Sequence, residues 1–185
     1  MQKFDAPTPI SAVLDIPAGR IRFIAADQAD TTVEVRPTDA SKSRDVKAAE
    51  QTEVAYGDGV LRIETSAATN RVIGASGSLE VTVRLPTGSR IEAKAASAAF
   101  RGVGRLGDVS FEGAQGSVRL DGAESANLAL LAGDISVGAA RGVSAALDAG
   151  TAYGRIHNAL KNTDGAAGLN IHATTAYGDI TARSL

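Results

Sequence analysis

The sequence predicts an all-β, single-domain β-solenoid, a parallel β-helix-like stack of short strands, on three observations. A phrase of glycine, polar residue, Ile or Val, polar residue recurs at Gly107-Asp-Val-Ser-Phe111, Gly116-Ser-Val-Arg-Leu120, Gly133-Asp-Ile-Ser-Val137, Gly154-Arg-Ile-His157 and Gly178-Asp-Ile-Thr-Ala182. Each is a turn glycine followed by a strand of period two. Inward-type apolar residues pair nine positions apart: Ile91 with Phe100, Val109 with Val118, Phe111 with Leu120, Leu128 with Val137, Leu147 with Ile156 and Ile171 with Ile180. Finally, the chain is 44% hydrophobic but only 4% aromatic, with no Trp or Cys, so its core is aliphatic and suits a narrow, layered interior.

At 185 residues the chain fits one domain with a continuous core. Residues 1–90 read as irregular N-terminal strands forming the first coils or a cap, and residues 91–185 as regular repeat coils. Strands are expected over residues 10–16, 20–25, 31–36, 52–56, 60–64 and 78–85, with Gly57-Asp-Gly59 as the hairpin turn between the fourth and fifth. Two joints, Ile16-Pro-Ala-Gly-Arg-Ile21 and Leu85-Pro-Thr-Gly-Ser-Arg-Ile91, each break one strand and begin another. The charged stretch 39–51 reads as a short helix or capping loop, and residues 66–77 as a loop. All five prolines lie at or before Pro86, so the later backbone can pair without losing a donor.

The intervals between Gly116, Gly133, Gly154 and Gly178 each suffice to carry the chain once round a coil and onto the next. Taken in chain order, that stacking puts Asp134, Arg155 and Asp179 in one outward column, an alternating-charge ladder on coils about 4.8 Å apart. It also sets Tyr153 over Tyr177, because Thr151-Ala-Tyr-Gly154 returns as Thr175-Ala-Tyr-Gly178. Ser184-Leu185 follows a repeat strand directly, so the terminal coil is expected to end in an uncapped edge.

Apparent chemical motifs resolve into structure. Gly102-Val-Gly-Arg-Leu-Gly107 matches a dinucleotide fingerprint by letter, but a strand follows where the pyrophosphate needs a helix amino terminus. His157 and His172 adjoin inward isoleucines and therefore face solvent, with no ligand cluster of metal-site spacing. There is no nucleophile elbow. Paired carboxylates at Asp134 and Asp179 are expected to be separated by Arg155, leaving no catalytic residue, metal or cofactor to assign.

Net charge is −2 with the basic residues dispersed along the chain, which argues against nucleic acid as a partner. No apolar run of membrane-spanning length occurs, and the amino terminus as written lacks a signal-peptide core, so a cytoplasmic location is expected, with envelope association left open.

The repeated Gly-Asp-Ile/Val phrase, Leu85-Pro-Thr-Gly-Ser-Arg-Ile-Glu92 and Val13-Leu-Asp-Ile-Pro-Ala-Gly19 resemble the bacterial putative adhesin family, β-strand-repeat proteins catalogued without an assigned function. The resemblance spans nearly the whole chain and implies a β-solenoid with a non-enzymatic surface or scaffold role and no catalytic residues. Ser117 and Arg155 stand where the family pattern has Asp. The expected function is thus a non-enzymatic interaction module, self-associating or binding a protein through its terminal coil edge. A glycan-binding module, using exposed Thr, Ser, Asn and Tyr side chains, is the alternative, and a carbohydrate-active enzyme a third.

Overall fold

A computed structural model describes residues 1–66, 77–162 and 166–185. The chain runs β1 (Gln2–Asp5), β2 (Ser11–Ala26), β3 (Asp30–Pro37), α1 (Ser43–Glu50), β4 (Thr52–Gly57), β5 (Val60–Thr65), β6 (Leu79–Pro86), β7 (Arg90–Ala139), β8 (Ala145–Tyr153), β9 (Ile156–Ala159), β10 (Leu169–Tyr177) and β11 (Ile180–Ser184). Among the described residues the fold is all-β apart from one short helix, and the strands join into one mixed sheet. The loop read over residues 66–77 lies, but for its ends, outside the described residues.

The middle of the molecule is parallel. β2 lies on the first part of β7, from Ser11 against Arg90 to Ile24 against Val103, and β5 and β6 lie on the other side of β2. β7 then passes beside itself. Gly88 donates to the Arg105 carbonyl and Gly107 to the Ser89 carbonyl, while Gly116 and Gly133 rest on the carbonyls of Ala98 and Gly116. These contacts stack successive stretches of β7 as layers, each resting on the one before.

Separate short strands broken by turns are expected here, yet β7 is a single strand of 50 residues. The difference arises at the corners, where a glycine bends the chain without breaking the ladder. At Gly133 the φ is 136°, and a Cβ would sit 1.8 Å from the Gly116 carbonyl oxygen. Any side chain there would collide with backbone that has nowhere to move. Pro17 acts in the same way, since β2 keeps its register on β7 through Ile16–Ala95 and Ala18–Ser97 on either side of it.

Alternation along each strand turns one set of side chains inward, and they form one continuous aliphatic cluster from Ala6 to Ala182. Phe23, Phe100 and Phe111 line up within it, with ring centroids 5.9 and 4.9 Å apart. Burial of such side chains contributes roughly 25 cal/mol per Å² of apolar surface. Inward Gly102 makes room for them: a Cβ there would lie 2.7 Å from Leu120 and 2.9 Å from Leu106. The glycine-rich letters of 102–107 therefore serve packing and a corner inside β7, with no helix following.

The amino-terminal end is closed by antiparallel pairing. β4 covers β5 through the Asp58-Gly59 turn, whose φ values of 51° and 73° suit the tight hairpin that the sequence indicates. β3 covers β6 and β1 covers β3. Phe4 and Tyr56, at 5.3 Å, join the two covers. α1 is pinned by buried Asp45, which accepts the Ser78 N–H at 2.9 Å and the Asp39 N–H at 3.2 Å.

Candidate interaction edge and corner ladder

The recurring glycines form a column down one corner. Gly116, Gly133, Gly178 and Gly154 each approach the carbonyl of an adjoining layer so closely that a Cβ would fall within 1.7–2.1 Å of it. The spatial order is 116, 133, 178, 154, whereas chain order would place 154 before 178. Strands β10 and β11 slot between the last layer of β7 and the pair β8–β9: Ile180 is level with Ile135 on one side and Ile156 on the other.

This insertion corrects the expected charge ladder. Asp134 and Asp179 are neighbours, and Arg155 lies beyond both. Each carboxylate binds backbone instead of a guanidinium: Asp134 Oδ1 accepts the Asp179 N–H and Asp179 Oδ1 accepts the Arg155 N–H, both at 2.8 Å. The threonine of each Thr-Ala-Tyr-Gly repeat performs a related task. Thr175 Oγ1 donates to the Gly133 carbonyl at 3.2 Å and Thr151 Oγ1 to the Gly178 carbonyl at 3.0 Å, satisfying oxygens that the glycine corner leaves close packed. Tyr153 and Tyr177 stack at 5.1 Å with 5° between their planes.

The same insertion moves the open edge. β11, expected to end the stack, is paired on both sides, because its physical neighbours are set by register and not by chain order. Among the described residues the parallel layers end at β8 and β9, which bond only to β10 and β11, whereas the other one-sided strands, β1 and β4, are the outer antiparallel strands of the cap. Asn162 caps the first residue of β8, accepting the Ala145 N–H at 2.9 Å and donating to the Ala145 carbonyl at 3.0 Å. Backbone alternation then leaves the outward N–H and C=O groups of Leu147, Ala149 and Thr151 unpaired. The inward column opens here too: Val118, Ile135 and Ile180 are buried, but Ile156 is 46% exposed and Tyr153 69%.

The outward surfaces carry mostly complementary charges between layers, with Arg90–Asp108 at 2.7 Å and Arg20–Glu80 at 2.6 Å. Asp108 also accepts the Ser125 hydroxyl at 2.7 Å, and that bond, reinforced by Arg90, holds its carboxyl below the usual carboxylate range. His157 and His172 are exposed, the latter 2.9 Å from the Asp148 carboxylate. No group of three metal-ligating side chains occurs among the described residues. The grooves are shallow; one runs past Asn127, Asp148, Asn170 and His172. Repeat spacing places Arg119 in an outward column with Ser136, His157 and Thr181, but only the register brings Arg22 and Arg101 to the same column.

These features define a class: an all-β protein whose parallel strands stack in layers, closed by antiparallel strands at one end and, among the described residues, uncovered at the other. A solved structure with this fold is that of a putative cell adhesion protein from Clostridium sporogenes, with a TM-score of 0.70, 13% identity, and coverage of 100% of this chain and 98% of that one. A putative adhesin from Bacteroides fragilis aligns over 98% of this chain and 95% of its own at 11% identity, but its TM-score of 0.33 carries no argument. No family model matches the chain, and no curated protein matches it in sequence.

Proposed function

We propose that the chain is a non-enzymatic β-solenoid interaction module of adhesin-like kind, which pairs with a second copy of itself through the β8–β9 edge. In this reading each stacked layer is a solenoid coil, residues 1–90 supply the first coils and their cap, and residues 91–185 the remainder. The carrying observation is the asymmetry of the ends. Antiparallel strands and a helix cover one end, while at the other an aliphatic column terminates in half-exposed Ile156 beside unpaired backbone. A second copy is the occupant that fits both lacks, since a two-fold axis at the edge lets each chain supply the other's missing strand and cover its isoleucine. The fold shared with the Clostridium protein, itself described as a putative cell adhesion protein, supports a binding role over a catalytic one.

Sedimentation velocity over a wide concentration range tests this. A concentration-dependent dimer is expected, and Ile156→Lys, which puts a charge on the edge at an already exposed position, should return the protein to monomer with its melting temperature nearly unchanged. A wild-type chain that remains monomeric up to millimolar concentration overturns the proposal.

A further inference from the structure

On the face that bears Asp134, the register aligns Arg22 with Arg101, and the seating of Gly116 on Ala98 carries Arg119 beside Arg101. All three are exposed. Three guanidinium groups thus stand on consecutive layers, about 4.8 Å apart per layer. Like charges directly opposite one another in a sheet are destabilising. In the comparable stack of Asp134 with Asp179, each carboxylate has a backbone N–H partner. The arginine column has no such relief: Arg119 reaches Asp121 at 3.3 Å, but among the described residues Arg22 and Arg101 have no ion pair or hydrogen bond. An arrangement that costs stability in the free protein is accounted for by a ligand that neutralises it.

We propose that the column Arg22–Arg101–Arg119 binds a linear acidic oligosaccharide, carboxylate- or sulfate-bearing, laid along the stacking direction. Planar guanidinium groups match carboxylate and sulfate oxygens two at a time. Beyond Arg119 the same column continues as Ser136 and Thr181, whose hydroxyls suit sugar hydroxyls, and Ser117 flanks it with a short side chain. Alternate sugars of an extended two-fold polysaccharide present their charged groups on one side at close to two layer spacings, which matches Arg22 and Arg119 on either side of Arg101. A nucleic-acid strand is the poorer fit, because the column offers no aromatic ring on which bases could stack. The site lies on other layers than β8 and β9 and does not depend on edge pairing.

Isothermal titration at low salt with an oligogalacturonate hexamer and a heparin-derived hexasaccharide tests the site, with a neutral cellulose hexamer and a charge-matched oligothymidylate as comparisons. At least one acidic oligosaccharide is expected to bind, more weakly as salt rises. The double variant Arg22→Gln/Arg101→Gln should bind at least about tenfold more weakly. Its melting temperature should not fall, since removing stacked like charges relieves repulsion, so lost binding is separable from misfolding. Arg62→Gln, level with Val13 and outside the column, should leave affinity unchanged. No binding of either acidic probe, wild-type affinity in the double variant, or equal binding of the neutral or thymidylate comparison would each overturn the proposal.

Discussion

At Gly133 a hydrogen atom decides whether two layers can meet. Adding a Cβ there both strains a φ of 136° and drives carbon to 1.8 Å from a backbone oxygen, so Gly133→Ala should cost at least about 3 kcal/mol in chemical denaturation. Gly150 lies in an open stretch of β8 with nothing within 4 Å of a built Cβ, and Gly150→Ala should be neutral or stabilising by about 0.5 kcal/mol. Equal effects would refute the corner argument. The aspartates divide in the same manner. Asp179→Ala removes the acceptor for Arg155 N–H and should cost about 1 kcal/mol, whereas Arg155→Asp, whose side chain pairs with neither aspartate, should change thermal stability little. A larger loss for Arg155→Asp would restore the ladder that chain order suggests. Asp108 carries a pH signature: its folded value lies below the ordinary 3.8, so the stability it contributes is present above that pH and is lost as pH falls through the folded value. Asp108→Asn should flatten the acid limb of a stability–pH profile below about pH 4.

Among the elements, β3, β4, β5, β6 and the helix within residues 39–51 could be read from alternation and punctuation, because each follows a local rule. β2 and β7 could not be resolved in the same way. The joint at Pro17–Gly19 and the corner glycines of β7 look like strand breaks in sequence, and only the neighbouring layers reveal that the ladder continues past them. β8 and β9 illustrate the second difficulty. Leu147 and Ile156 share the spacing of the buried pairs, yet they form an edge, since periodicity sets which way a side chain points and not whether another layer lies above it. Hydrogen exchange should therefore find the amides of Leu147, Ala149 and Thr151 fast and those of Ile171 and Ala173 in β10 slow. Comparable protection in dilute, monomeric protein would show that something else covers the edge.

For the whole molecule, the insertion of β10 and β11 between earlier strands constrains assembly. The layer of β8 and β9 reaches its final place only when the last strands are laid beneath it, so pulse-labelling exchange should show protection in β8 no earlier than in β10. Earlier protection of β8 would mean that it first docks on β7 and is later displaced. Charge behaves similarly at this scale. A net charge of −2 with dispersed basic residues conceals a column of arginines, because residues 22, 101 and 119 are remote in sequence and adjacent in register. The sequence by itself determined β3 to β6, the inward and outward alternation, the aliphatic core and the positions of the corner glycines, all of which follow from short-range sterics and period-two patterning. Tertiary structure alone decided the order of the layers, and with it the partners of Asp134 and Asp179, the free edge and the arginine column. The physical reason is that parallel layers with the same inward pattern can stack in more than one order, and the choice among orders rests on contacts between residues that the chain holds far apart.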